Sequence, residues 1–228
     1  MLVNQLPESL AIKFIKFYIN FQIKRYAKIS VKGFENLSRD YKRPCLFVCN
    51  HLSNSDGLIL NKVLEKENLI FLSGKKLEFN SMTSLGLKAV KSIPILPNSP
   101  DREAIKKVIS VVKDGNSVLI FPEGTRSRTA KMLEGKKGIL LFAKRTNAPI
   151  VPIGIWGSEK FMPVEENMKK ESFSSANINV NIGEIFYLPK KKNDETKEDY
   201  ENSCLNHIMT TIAKLLPKEY QGFYEDKL

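Results

Sequence analysis

Residues 44–56 have the sequence PCLFVCNHLSNSD, in which a short apolar run gives way abruptly to polar residues. The run Leu46–Cys49 follows a proline and has the length and composition of a buried strand. The polar part begins at Asn50 and contains His51 and Asp56. Because open α/β sheets bind ligands beyond the carboxyl ends of their strands, we predict a functional site here.

Strand and helix patterns alternate along the rest of the chain. Runs typical of buried strands lie at residues 69–72, 118–121 and 150–156. Helical periodicity lies at residues 58–64, 99–115 (with Ser99 as the cap) and 138–145. Residues 177–188 alternate as an edge strand does, and a last amphipathic helix ends near Pro217. This order predicts an α/β fold with a largely parallel or mixed sheet flanked by helices.

The N-terminal segment combines aromatic and basic residues. Residues 8–29 are expected to form a helix or helix pair whose apolar side chains are Leu10, Phe14, Phe17, Tyr18, Phe21 and Ile23. Interleaved lysines suit a membrane interface, where they meet headgroups while apolar side chains enter the acyl boundary. The alternative is a core-packing helix with a solvated basic face. We expect residues 1–30 to be an amphipathic interfacial segment and residues 31–228 to be the α/β domain.

The net charge of the chain limits the classes of partner that it is expected to bind. The 228 residues include 36 Lys and Arg against 25 Asp and Glu, a net charge of +11. This excess favours nucleic acid, an anionic membrane or phosphorylated substrates. Nine of the basic residues but only three of the acidic ones lie among the first fifty, and no nucleic-acid-binding motif is apparent. We therefore expect an anionic membrane surface as a partner, and no nucleic acid.

The apolar runs, the N-terminus and the cysteines of the sequence predict a location on the cytoplasmic side of a membrane. No run reaches the ~18–20 apolar residues of a spanning helix, and no signal peptide is recognised. The three cysteines are odd in number and lack the spacing of a disulfide framework or a zinc site, which favours a reducing compartment. We expect a peripheral or monotopic protein at the cytoplasmic face of a membrane.

His51 and Asp56 are candidates for a catalytic pair. In a continuous helix, five residues turn through about 500°, so the segment must turn before it winds into a helix if the two are to meet. A carboxylate on one ring nitrogen would fix the tautomer and leave the other nitrogen as a base. Polar loops often contain such pairs by coincidence, so the pair alone does not establish a site.

A second polar stretch, FPEGTRS at residues 121–127, also follows a buried strand. Gly124 permits close backbone approach to a ligand, Thr125 can donate a hydrogen bond, and the planar fork of Arg126 matches phosphate. Glu123 could hold that arginine or organise the loop. The alternative is an ordinary connection with a surface arginine.

Together the two stretches resemble the phospholipid and glycerol-phosphate acyltransferase family, typified by lysophosphatidic acid acyltransferase. The family's first motif, His-x4-Asp, is present at residues 51–56, and its third, Phe-Pro-Glu-Gly-Thr-Arg-Ser, at residues 121–127. Lys75 stands where the family often has a lysine before its second motif. Residues 136–138 resemble a Lys-x-Gly element, and residues 148–153 match the fourth motif.

The chain departs from the family at the end of the second motif. Pro97 stands where the family usually has an arginine that helps to bind the acceptor's phosphate. Arg102, Lys88 and Lys91 are possible substitutes. This departure does not change the expected reaction class, but it leaves the identity of the acceptor open.

The resemblance implies transfer of a fatty acyl group from acyl-CoA or acyl carrier protein to the hydroxyl of a lysophospholipid, with 1-acylglycerol-3-phosphate giving phosphatidic acid. His51 would be the base and Asp56 its orienting partner. Residues 123–126 would bind substrate, with Lys75 as a further cation. No metal or other cofactor is implied.

Several alternatives remain at this stage. The acceptor could be glycerol 3-phosphate or another lysolipid. A non-catalytic lipid-binding membrane protein would keep the fold and the basic helix but would not need both His51 and Asp56. A serine hydrolase would need a Gly-x-Ser-x-Gly turn, which the sequence lacks.

Overall fold

A seven-stranded sheet organises the chain. The computed structural model describes residues 7–37, 44–75, 82–96, 101–163 and 172–228. The strands are β1 (Ala27–Lys32), β2 (Leu46–Cys49), β3 (Ile70–Gly74), β4 (Lys91–Ile95), β5 (Val118–Ile120), β6 (Ile150–Trp156) and β7 (Ala176–Ile182). Their spatial order is β1-β7-β6-β2-β5-β3-β4. Strands β6, β2, β5, β3 and β4 are mutually parallel, whereas β7 is antiparallel to β6 and parallel to β1. The predicted α/β fold with a largely parallel or mixed sheet is confirmed.

Helices cover both faces of this sheet. They are α1 (Glu8–Tyr26), α2 (Asp56–Val63), α3 (Met82–Ala89), α4 (Arg102–Lys113), α5 (Gly138–Thr146), α6 (Ser158–Phe161) and α7 (Lys197–Ala213). One core contains side chains of α1 and α2, and a second core contains side chains of α4, α5 and α7. Short 3-10 turns lie at Phe34–Leu37, Glu65–Glu67, Lys218–Tyr220 and Gly222–Lys227.

Strand β2 shows why its sequence is a continuous apolar run. Phe47 and Cys49 belong to the core that includes α1 and α2, whereas Leu46 and Val48 belong to the other core. All four residues are fully buried. A strand buried on both faces has no place for a polar side chain, so polarity returns only at Asn50, where the strand ends.

The N-terminal helix ends earlier than predicted. Helix α1 stops at Tyr26, and the residues from Ala27 onwards form β1, which pairs in parallel with β7. The helix prediction over residues 27–29 is therefore wrong, because a partner strand about 150 residues away decides the local conformation. β1 also runs across the boundary predicted between residues 30 and 31.

Three other boundaries also differ from the sequence prediction. Ser99 lies outside the described residues, and the cap of α4 is Asp101, whose side chain accepts a hydrogen bond from the Ala104 amide at 3.1 Å. Strand β7 ends at Ile182 instead of continuing to residue 188. Helix α7 ends at Ala213, before Pro217.

Helix α1 packs on the domain through a row of isoleucines. Ile15, Ile19 and Ile23 are buried in the core shared with α2. None of the helices described by the structure is long and apolar enough to cross a membrane.

Candidate active site

The sheet brings the two polar stretches together. β2 and β5 are adjacent parallel strands, with Leu46 opposite Val118 and Val48 opposite Ile120. The residues that follow them therefore leave the same edge of the sheet side by side. The rings of His51 and Phe121 stack with centroids 4.0 Å apart and an interplanar angle of 13°.

His51 meets Asp56 through a turn that precedes α2. The Asp56 amide donates to the Ser53 carbonyl at 3.2 Å, which closes the turn, and the carboxylate then lies 2.8 Å from His51 Nδ1. The same Oδ2 atom accepts hydrogen bonds from the amides of Leu52 and Ser53 at 2.7 and 2.8 Å. Asp56 is fully buried as the first residue of α2, where the helix dipole favours a negative charge. An acceptor at Nδ1 places the ring proton there and leaves Nε2 able to accept a proton.

Asn50 holds the start of this loop against β6. Its side-chain amide donates to the Ile155 carbonyl at 2.8 Å, and its carbonyl oxygen accepts from the Ile155 amide at 2.8 Å. The side chain thus continues the β2–β6 ladder for one more step. His51 therefore starts from a fixed backbone position.

Glu123 is a buried side chain that holds two backbone amides of the site. Its Oε1 accepts from the His51 amide and its Oε2 from the Leu133 amide, both at 2.9 Å. Burial raises the pKa of Glu123 to about 8, against the opposing effect of the two amides, and the nearby charge of Asp56 adds to the rise. The side chain is 1% exposed and does not line the cavity described below. The prediction that Glu123 binds substrate is not supported by these contacts, whereas its alternative role in organising the loop matches them.

Arg126 is linked to the His51 loop. Its Nη1 donates a hydrogen bond to the Asn54 side-chain oxygen. Next to it, the Ser127 amide donates to the His51 carbonyl at 2.8 Å. Two hydrogen bonds thus fasten the end of the 121–127 stretch to the loop that carries His51.

These residues open on a cavity of about 950 Å³. His51, Gly124, Thr125 and Arg126 contribute to its wall. Much of the remaining wall is apolar and comes from α2, α3, α5 and the strands between them, including Leu58, Phe71, Leu87, Val90, Ile139 and Phe142. Such a cavity can hold an aliphatic chain beside a charged group.

The sequence prediction did not assign a role to Lys136, which also lines the cavity. Gly124 has a φ of +68°, and its Cα faces the Lys136 side chain so closely that a Cβ there would lie 3.3 Å from Nζ. The Lys136 amide donates to the Pro122 carbonyl at 2.9 Å. The structure therefore places a second cation on the wall of the cavity that Arg126 lines. The sequence signal for it was its position in the Lys-x-Gly element.

Lys75 lies apart from these residues. Its ammonium pairs with Asp101 at 3.3 Å, and it lines a different cleft of about 450 Å³ next to α4. The amides of Ala104 and Leu96, helped by Lys75, hold the pKa of Asp101 below its ordinary value. The structure thus does not bring Lys75 together with Arg126.

The substitutes considered for the absent second-motif arginine do not line the cavity. Lys91 donates to the Asn68 side chain at 2.9 Å, and neither Lys88 nor Arg102 contributes to the cavity wall. Pro97 lies outside the described residues. Within the described ranges, no group of three His, Cys, Asp or Glu side chains could hold a metal ion.

Comparison with known proteins gives a consistent family. The family model described as acyltransferase matches residues 28–156, more than half of the chain. A 1-acyl-sn-glycerol-3-phosphate acyltransferase of Cocos nucifera is 33% identical over 75% of this chain and 52% of its own length. A chloroplastic one of Brassica napus is 30% identical over 65% of this chain and 43% of its own length. The chain thus spans about half the length of these plant relatives.

Two bacterial proteins match over more of their length. A 1-acyl-sn-glycerol-3-phosphate acyltransferase of Bacillus subtilis is 28% identical over 82% of this chain and 91% of its own length. The crystal structure of the 1-acyl-sn-glycerophosphate acyltransferase PlsC from Thermotoga maritima superposes with a TM-score of 0.63 at 22% identity. It covers 93% of this chain and 85% of that chain, and this likeness shows the fold alone.

Proposed function

Because the chain belongs to the acyltransferase family, we propose that it moves a fatty acyl group from an acyl thioester to the hydroxyl of a lysophospholipid. The donor would be acyl-CoA or acyl carrier protein, and the preferred acceptor 1-acylglycerol-3-phosphate, which would yield phosphatidic acid. The observation that carries the proposal is a histidine held by a buried carboxylate in the same cavity as Arg126.

The geometry supports general-base catalysis at His51. Nε2 takes the proton of the acceptor hydroxyl while its oxygen attacks the thioester carbonyl carbon. The tetrahedral intermediate then expels the thiolate, and the imidazolium gives its proton to that leaving sulfur to form the free thiol. Asp56 stabilises the imidazolium and keeps the ring oriented. An ester and a free thiol are formed, and the enzyme regains its starting state.

The acceptor's phosphate would be held by Arg126 and Lys136. Both line the cavity with His51. The guanidinium can offer a fork of two donors, and the ammonium adds a point charge. Gly124 and Thr125 directly precede Arg126, and Gly124 lies against the Lys136 side chain, so this part of the loop would allow the phosphate close to the backbone. Lys136 therefore provides the positive charge that Pro97 cannot.

The reaction is tested by thiol release. Purified protein is given a matrix of acceptors (1-acylglycerol-3-phosphate, glycerol 3-phosphate, lysophosphatidylcholine) and donors (acyl-CoA, acyl carrier protein). We expect release with the wild type and background release with His51→Ala. Equal turnover by the two proteins would refute the mechanism. Lipid binding without turnover of any acceptor would favour a non-catalytic lipid-binding protein.

We also propose that α1 attaches the protein to the cytoplasmic face of an anionic membrane. Leu10, Phe14, Phe17, Tyr18 and Phe21 are all 40–69% exposed and fall within a stripe about 100° wide on the helix. The opposite side carries the buried isoleucines, so the exposed stripe is not needed for packing. Exposed lysines at positions 13 and 24 lie along one edge of it, and exposed Lys16 lies further round on the same side.

The position of α1 suits delivery of a lipid. Helix α1 packs on α3, and α3 lines the cavity through Gly86 and Leu87. Apolar side chains in the acyl region and lysines at anionic headgroups would hold the cavity next to its lipid substrate.

Sedimentation with vesicles tests the attachment. We expect Phe14→Ser/Phe17→Ser to lose most binding to phosphatidylglycerol-rich vesicles. Phe34→Ser, which changes an exposed aromatic residue outside α1, serves as the control. Unchanged binding by the double variant would place the attachment elsewhere.

A further inference from the structure

The last turns of the chain touch the loop that follows residues 121–127. The Met132 amide donates to the Tyr220 carbonyl at 2.9 Å, and the Phe223 amide donates to the Met132 carbonyl at 3.1 Å. The Tyr224 hydroxyl accepts a hydrogen bond from the Gly135 amide at 2.9 Å. Three hydrogen bonds therefore fasten residues 132–135 to the C-terminal segment, residues 217–227.

The packing at this junction is close. Gly222 has a φ of +52°, and a side chain there would collide with the backbone of Met132. Met132 is 2% exposed and Tyr224 is 3% exposed. The junction is thus a fitted contact between two backbones.

The C-terminal segment is anchored on its other side. The Tyr220 hydroxyl donates to Glu159 at 2.9 Å. The Gln221 side-chain amide donates to the carbonyls of Ala213 and Leu216 at 3.2 and 3.1 Å. The segment is therefore tied to α6 and to the end of α7, and can act as a fixed support.

From residues 132–136 the contacts continue into the candidate site. The Leu133 amide donates to Glu123, whose other oxygen holds the His51 amide. The Lys136 amide donates to the Pro122 carbonyl, and the Lys136 side chain lies against Gly124. Hydrogen bonds on both sides of the backbone of residues 132–136 thus connect Tyr224 with the residues that line the cavity.

We propose that the C-terminal segment, with Tyr224 as its principal positioning residue, sets the placement of Lys136 and the 121–127 loop for binding the acceptor's phosphate. This inference rests on the proposed function. It adds a part of the molecule that lies beyond residue 156, where the family match ends. Tyr224 touches no substrate in this scheme, since it acts through the Gly135 amide.

The test compares three variants of the full chain. Tyr224→Phe removes one hydroxyl and keeps the buried ring, and Gly222→Ala pushes Met132 away. Tyr200→Phe is the matched control, because its hydroxyl donates to the Pro189 carbonyl at 2.8 Å on another part of the surface. Amide hydrogen exchange over residues 132–136 is measured for each, together with kcat and the KM for 1-acylglycerol-3-phosphate.

We expect faster exchange over residues 132–136 in both test variants, and wild-type exchange in the control. For Tyr224→Phe, the acceptor KM should rise by about threefold to tenfold, the range expected for loss of one neutral hydrogen bond. Its kcat should change less, because the proposed role of the segment is in binding the acceptor. A general loss of folded protein would give the opposite pattern, with a lower kcat and an unchanged KM. Tyr200→Phe should keep the wild-type KM.

Two results would overturn the inference. Exchange in residues 132–136 that stays at the wild-type rate in both test variants would show that the segment does not hold the loop. Faster exchange with an unchanged acceptor KM would show that the contact has no positioning role. If wild-type protein releases no thiol from any donor, the proposed function fails, and the exchange measurement still decides whether the segment holds the loop.

Discussion

The His51 loop and the 121–136 loop line the same cavity but are held by contacts of different range. Asp56 receives its hydrogen bonds from residues three to five positions away in sequence. Glu123 reaches His51 across 72 positions, and Gly135 reaches Tyr224 across 89. The contact between His51 and Asp56 is thus made within a local turn, whereas Glu123 and the proposed phosphate site are joined to distant parts of the fold.

The largest effect is expected from breaking the local pair. Asp56→Asn can keep an oxygen at the position of Oδ2, where it accepts from the Leu52 and Ser53 amides, but it removes the negative charge that would stabilise the His51 imidazolium. We expect kcat to fall by about 10³- to 10⁴-fold, as for other carboxylate–histidine pairs. Steady-state thiol release measures the loss, and circular dichroism checks the fold. Asp194→Asn, an exposed loop position, is the control; an Asp56→Asn variant within tenfold of it would contradict the assigned role.

Removing the cations should affect binding more than turnover. Arg126→Ala should raise the acceptor KM by about 10- to 100-fold, and Lys136→Ala by about tenfold, as expected for hydrogen bonds to a charged group. The reason is the loss of the fork or of the point charge beside the phosphate. Kinetics with 1-acylglycerol-3-phosphate measure both values.

Two controls separate phosphate binding from general damage. Lys137→Ala changes the exposed neighbour that does not line the cavity, and should leave KM unchanged. Monoacylglycerol lacks the phosphate, so its KM should respond little to either cation. An equal rise in KM for both acceptors would rule out the phosphate contact.

The difference in range also explains which parts of the site could be predicted from the sequence. The turn between His51 and Asp56 was predictable because both ends and the intervening amides lie in one heptapeptide. The contact is present at 2.8 Å, and its catalytic role stays a prediction. The likeness of residues 121–127 to a family motif indicated where Arg126 would lie, but not that Glu123 turns away to hold two amides.

Contacts between residues that are remote in sequence could not be predicted, and the assignment of Lys75 to the substrate stays a prediction. Lys75 was assigned to the substrate, but its partner is Asp101, the cap of a helix whose start was predicted at Ser99. Strand β1 forms beside β7, so a local pattern of aromatic and basic residues could not reveal where α1 ends. Lys136 enters the cavity wall only because the loop folds back on Gly124.

A smaller effect is expected on stability when Glu123 is changed. Burial raises its pKa from 4.5 to about 8, so between these values the folded protein keeps a proton that the unfolded chain releases. Wild-type stability therefore falls through this residue as pH rises across that interval. Glu123→Gln has no such proton, so its stability relative to the wild type should increase from pH 5 to pH 9.

Chemical denaturation at a series of pH values measures this difference. Glu134→Gln, an exposed position in the same loop, should follow the wild type at every pH. We expect Glu123→Gln to start lower than the wild type at pH 5, because one amide loses its carboxyl acceptor, and only the slope decides the prediction. Parallel curves for Glu123→Gln and the wild type would show that the buried carboxyl is not protonated in this interval.

The smallest effect should come from the hydrogen bond between Arg126 and Asn54, one of the contacts that join the two loops. Asn54 belongs to the local loop and accepts a hydrogen bond from Arg126 of the other. Asn54→Ala keeps both charged groups and removes one hydrogen-bond acceptor that directs the guanidinium. The KM for 1-acylglycerol-3-phosphate should therefore rise by about threefold to tenfold while kcat stays near the wild-type value.

A double variant tests whether Asn54 acts through Arg126. If it does, removing Asn54 has no further effect once the guanidinium is absent. The double variant Asn54→Ala/Arg126→Ala should therefore have the KM of Arg126→Ala alone, whereas independent contributions would multiply. If the two single-variant increases in KM multiply in the double variant, Asn54 contacts the substrate itself. The loop of residues 51–56 would then be part of the phosphate site.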